Sequence, residues 1–106
     1  ILYFHSISNS QEPTRVVFEF QPIHGSIPTF LLLLPHIERL NLSNNLLGGS
    51  ILINPSSNLS LSLKSLRFSQ NNLSGRLSFI SLQSLTKLEE IDLSGNVKLA
   101  VDINIF

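Results

Sequence analysis

The stretch Ile37-Glu38-Arg39-Leu40-Asn41-Leu42-Ser43-Asn44-Asn45-Leu46-Leu47-Gly48-Gly49-Ser50-Ile51 decides the fold. Its apolar residues fall in fixed columns, and the columns return downstream. Leu63, Leu66, Phe68, Asn71, Leu73, Gly75 and Leu77 stand where Ile37, Leu40, Leu42, Asn45, Leu47, Gly49 and Ile51 stand above. Leu88, Ile91, Leu93 and Asn96 begin a third copy, which continues after a one-residue slip with Leu99, Val101 at the glycine place and Ile103. Upstream, Pro13, Val16, Phe18, Gln21, Ile23, Gly25 and Ile27 form a degenerate copy in which Gln21 replaces the asparagine. The copies start at 13, 37, 63 and 88, so the period is 24 to 26 residues.

Each column has a physical task. The alternation Leu40-Asn41-Leu42 sends two leucines to one side of a short strand and the residue between them to the other. No single copy can bury such a face alone, whereas stacked copies share one continuous core. Asn45, Asn71 and Asn96 leave the strand at a turn, where a carboxamide both donates to and accepts from unpaired backbone groups, so they should form a ladder. Gly25, Gly49 and Gly75 suit a tight bend. The apolar spacing of three in Leu31, Leu34, Ile37 and in Leu82, Leu85, Leu88 suits 3₁₀ or short helical returns, the first started by Pro28. The return over 52–62, rich in Ser, Asn and Pro, reads as a loop.

A period in this range with these columns is that of leucine-rich repeats. Ile23-His24-Gly25-Ser26-Ile27-Pro28 resembles the Leu-x-Gly-x-Ile-Pro signature of the plant-specific repeat. Leu40-Asn41-Leu42-Ser43-Asn44-Asn45 and Ile91-Asp92-Leu93-Ser94-Gly95-Asn96 resemble the strand core of plant receptor-like proteins and receptor-like kinases. The fold expected is therefore an α/β leucine-rich-repeat solenoid, a short horseshoe arc with parallel β-strands on the concave face and 3₁₀ or short helical turns and loops on the convex face. It reads as one domain over 1–106: the end of a preceding repeat over 1–12, a degenerate repeat over 13–36, repeats over 37–62 and 63–87, and an incomplete last repeat over 88–106.

Composition narrows the function. Formal net charge is zero and only 13% of residues are charged, so no basic field exists to draw nucleic acid. There is no cysteine, and the longest apolar run, Phe30 to Leu34, is far too short to span a bilayer. The start Ile1-Leu2-Tyr3-Phe4-His5 lacks an initiator Met and a basic region and does not read as an intact signal peptide. The resemblance implies an extracellular or plasma-membrane ectodomain that perceives a signal or serves defence by binding a protein or peptide ligand, a co-receptor or a carbohydrate, with no cofactor and no catalysis. Two other readings stand beside it: an inhibitor of a microbial wall-degrading glycanase, and a truncated product with no ligand of its own. The uncapped apolar ends, at Ile1 to Phe4 with Val17 and Phe20 and at Val101 to Phe106, suggest a partial array prone to self-association.

On the concave sheet the exposed columns are Arg15, Arg39, Ser65 and Glu90; Val17, Asn41, Arg67 and Asp92; Glu19, Ser43, Ser69 and Ser94; and Phe20, Asn44, Gln70 and Gly95. Partner contact is expected from Arg39, Asn41, Ser65, Arg67, Gln70, Glu90 and Asp92, with guanidinium groups meeting a polar or anionic part of the ligand. The competing reading is a solvated cross-strand ion pair such as Arg67 with Asp92. Glu90 and Asp92 face one side of a strand, but a shallow wet sheet shifts no carboxylate far enough for acid–base catalysis. His5, His24 and His36 lack a second ligand at metal spacing. Sequons at Asn41, Asn58 and Asn72 suit a secreted glycoprotein, while Asn54 is excluded by Pro55. A glycan on Asn41 would block ligand access beside Arg39 and Arg67.

Overall fold

The computed structural model describes residues 14–53 and 62–102. The chain winds as a solenoid in which every repeat contributes one strand to each of two parallel sheets. The first sheet stacks β1 (Arg15–Val17), β3 (Arg39–Asn41), β5 (Ser65–Arg67) and β7 (Glu90–Asp92) in that order. Equivalent residues lie side by side in it: Arg15, Arg39, Ser65 and Glu90 in one row, Val16, Leu40, Leu66 and Ile91 in the next. The second sheet stacks β2 (His24–Gly25), β4 (Leu46–Gly49), β6 (Asn72–Ser78) and β8 (Lys98–Asp102).

The inward rows make the core. Leu40, Leu42, Leu66, Phe68, Leu47, Leu73, Ile37 and Leu63 are fully buried, and Val16, Phe18 and Ile27 extend the same core through the degenerate repeat. Backbone bonding continues past the strand ends. Phe18, Leu42 and Phe68 donate to Asn41, Arg67 and Asp92 at 2.9, 2.8 and 2.9 Å, and Phe20, Asn44 and Gln70 donate to Asn44, Ser69 and Ser94 at 3.1, 2.9 and 2.8 Å. The parallel pairing therefore runs into the turn before it stops.

The spacing of three on the return side is a row of i to i+3 hydrogen bonds. Leu31 donates to Pro28 and Ile37 to Leu34 at 3.1 and 3.4 Å, Leu85 to Leu82 and Leu88 to Leu85 at 3.0 and 3.1 Å. A 3₁₀ turn occupies Thr29–Leu33, beginning one residue after Pro28, whose fixed φ and missing N–H suit that entry. A single helical turn, α1 (Phe79–Leu82), opens the later return. Helix among the described residues amounts to these two turns, so the chain is a β-solenoid with little α content. Pro13 and most of the expected 52–62 loop lie outside the described residues.

The second sheet is an addition to the expected architecture, which had only a bend after the asparagine. It is staggered against the first: Gly25 faces Leu47, Gly49 faces Leu73 and Gly75 faces Leu99, not the next glycine. Leu99 takes the place of Leu47 and Leu73 in this series, so the one-residue slip after Asn96 is absorbed before β8 begins.

Candidate functional site

Two rows of residues at the strand ends shape the concave face. Asn45, Asn71 and Asn96 each tie their own turn to the preceding repeat. The Asn71 amide donates to Phe68 O at 3.1 Å and to Leu42 O at 2.9 Å, while its Oδ1 accepts from Leu47 N at 3.0 Å. Asn96 repeats this with Leu93 O, Phe68 O and Leu73 N, and Asn45 with Leu42 O, Phe18 O and the amides of Gln21 and Ile23. Gln21, in the same column, donates from its side-chain amide to Glu19 O at 2.9 Å, two residues back, as the asparagines do to Ser43, Ser69 and Ser94.

The row just before the asparagines carries a constraint that the sequence reading missed. Phe20, Asn44, Gln70 and Gly95 all have left-handed backbone, with φ of 55, 57, 54 and 77°. Asn44 and Gly95, two residue types that tolerate this region, were the available signal. A Cβ on Gly95 would collide with the Gln70 carboxamide, so Gln70 lies over the next repeat's turn.

On the sheet itself, Arg15, Val17, Arg39, Asn41, Ser65 and Arg67 surround a shallow concavity of about 320 Å³. Arg15 and Arg39 are exposed neighbours in register, and among the described residues neither has an ion-pair partner. Arg67 donates from Nε to Glu90 Oε1. That hydrogen bond, with the attraction of the opposite charges, raises the Arg67 pKa and lowers that of Glu90. This corrects the expected pairing of Arg67 with Asp92, its neighbour in register. The Asp92 carboxylate is turned onto Ser94, where Oδ1 accepts from N at 3.1 Å and Oγ at 2.7 Å, and these bonds hold its pKa below the ordinary value.

Other expected contact residues are also partly committed to the fold. Asn41 Oδ1 accepts from Ser43 N at 3.0 Å, the same turn that Asp92 makes, and its amide donates to Glu19 Oε1 at 2.8 Å. Ser65 is only 5% exposed, and Ser43 is buried with its Oγ accepting from Ser69 N at 3.2 Å; short side chains on a tightly stacked sheet are covered by longer neighbours. Of the seven residues expected to meet a partner, Arg39, Arg67, Glu90 and Asp92 thus offer charge at the surface, and Arg15 joins them. Among the sequons, Asn72 is exposed at the start of β6, Asn41 is half-buried with both polar atoms engaged, and Asn58 lies outside the described residues. His24 and His36 are exposed and His5 lies outside the described residues. No cluster of His, Asp and Glu suited to a metal ion occurs among the described residues, and no helix there is long and apolar enough to cross a membrane.

Stacked parallel strands, an asparagine ladder buried at Asn45 and Asn96 and half-buried at Asn71, and a polar concave sheet define a leucine-rich-repeat solenoid. No family model matches the sequence. Receptor-like protein 31 of Arabidopsis thaliana is 43% identical over 58 residues, which are 55% of this chain and 7% of that protein. The crystal structure of the leucine-rich-repeat ectodomain of the receptor kinase SOBIR1, also from Arabidopsis thaliana, superposes with a TM-score of 0.58 at 31% identity over 76% of this chain and 42% of that one. Repeat and fold are those of a leucine-rich-repeat solenoid, and both comparisons find it similar to plant receptors, one a receptor-like protein and one a receptor kinase. The chain spans a small part of the first relative and less than half of the second.

Proposed function

We propose that this chain is a non-catalytic recognition module of an extracellular plant receptor ectodomain. It takes a protein or peptide ligand, or a co-receptor, on its concave face in signal perception or defence. The observation that carries this reading is the concavity of about 320 Å³ in which the Arg15 and Arg39 guanidiniums stand without an ion-pair partner among the described residues. A guanidinium left unpaired on a solvated sheet is a ready donor for carboxylate groups, and its planar fork loses little freedom on binding.

Selection of a displayed random-peptide library on the chain, followed by remeasurement with the double variant Arg15→Ala, Arg39→Ala, tests it. Selected peptides should lose at least about tenfold in affinity, the effect of about 1.4 kcal/mol, with an unchanged thermal melt. Equal affinity for both proteins would refute a concave site. The same reading includes passage through the secretory pathway. Mass spectrometry after expression in plant cells should then find glycan on exposed Asn72 and none on Asn41, whose amide is held by Glu19. Full occupancy of Asn41 would contradict both this and concave recognition.

A further inference from the structure

Charge on the concave sheet is sorted along the stacking axis. The first two strands present Arg15 and Arg39 side by side, and the last strand presents Glu90 and Asp92. Arg67 lies between and is satisfied by Glu90. Glu19 sits past the end of β1 and accepts from the Asn41 amide at 2.8 Å, and the Arg39 charge also acts on Glu90. Among the described residues, what stays without an ion pair is cationic at Arg15 on β1 and Arg39 on β3, and anionic at Glu19, which holds the Asn41 amide, and at Asp92 on β7. Like charges opposite each other on neighbouring strands repel. A carboxylate placed across Arg15 and Arg39 relieves that repulsion, whereas a cation placed there adds to it.

We propose that the concave face selects a bipolar extended peptide, lying across the strands with a carboxylate over Arg15 and Arg39 and a basic group over Asp92 and Glu90. This rests on the concave-face reading above and gives it a charge pattern. Neighbouring strands are about 4.8 Å apart, so Asp92 is about 10 Å from the Arg39 strand and about 14 Å from the Arg15 strand. An extended ligand advances about 3.3 Å per residue, which sets the acidic and basic residues three or four positions apart.

Asp92→Asn is the informative variant, because it removes the charge while keeping the acceptor for Ser94, as Asn41 does for Ser43. Arg39→Gln is its counterpart at the other end. Five end-capped peptides in one Gly/Ser background serve as probes: Asp and Lys four positions apart, Asp and Lys adjacent, Asp alone, Lys alone, and neither. Affinities come from titrations of the isotope-labelled chain, with amide shifts locating the site. The spaced bipolar peptide should bind at least about tenfold tighter than the other four. Arg39→Gln should reduce it to the level of the Lys-only peptide, and Asp92→Asn to that of the Asp-only peptide. Equal binding of all five, with shifts on β1 to β7, overturns the charge pattern and leaves concave recognition standing. Tightest binding by an unspaced or singly charged peptide overturns it likewise. No shift on the first sheet at millimolar peptide overturns both readings.

Discussion

Asn71 is the residue on which most of the central turn depends. Its carboxamide serves Leu42 O, Phe68 O and Leu47 N at once, from two neighbouring repeats. Truncation leaves Leu47 N without its acceptor, at about 1 to 3 kcal/mol where water does not reach it, whereas Leu42 O and Phe68 O keep the amides of Asn45 and Asn96. Asn71→Ala should therefore lower stability by about 1 to 3 kcal/mol in a urea melt. Asn72→Ala, one residue on and exposed, should stay within about 0.5 kcal/mol. Equal effects would mean that the ladder bonds contribute nothing net. The ladder positions can be read in the sequence because only a carboxamide both donates and accepts in one plane. The fates of Asn41, Asp92 and Ser65 cannot, since an outward position on a strand does not reveal that Ser94 or Ser43 will capture the side chain, or that longer neighbours will cover a serine.

At the scale of elements, the first sheet follows from period-two alternation around Leu40, Leu66 and Ile91, while the second sheet is hidden. Its strands contain Gly25, Gly49 and Gly75, which break β propensity and read as bends. They are tolerated because the strands pair in parallel with a stagger, setting each glycine beside the next repeat's leucine. Gly75 has φ of 79°, and a Cβ there would lie 2.6 Å from Ser50 Oγ, whereas at Gly25, with φ of 90°, a Cβ meets nothing within 4 Å. Both Gly→Ala changes carry backbone strain of about 1 kcal/mol or more. Gly75→Ala should cost more by the packing conflict, and Ser50→Ala added to it should recover part of the excess. A chemical-denaturation series that ranks Gly25→Ala as the worse variant would contradict the stagger.

For the whole molecule, stability is divided along the stack, because each strand leans only on its neighbours. Leu66 is fully buried between β3 and β7, with apolar rows on both sides. Ile91 is the same column one repeat later, yet it is 36% exposed and borders an apolar hollow of about 420 Å³ with Leu82, Leu85 and Leu88. The same position in the repeat thus does different work at different places in the array, which no column of the alignment can disclose. Leu66→Ala should cost about 3 to 5 kcal/mol, and Ile91→Ala about half of that or less. Amide exchange separates the two further. Leu66→Ala should speed exchange at Leu42, Phe68 and Glu90 together, since their N–H groups bond across the β3–β5–β7 stack. Ile91→Ala should speed it at Phe68 and Glu90 and leave Leu42, bonded to Arg67 O, close to wild type. Uniform acceleration by both variants would instead show a chain that opens only as a unit, with no nearest-neighbour gradient along the solenoid.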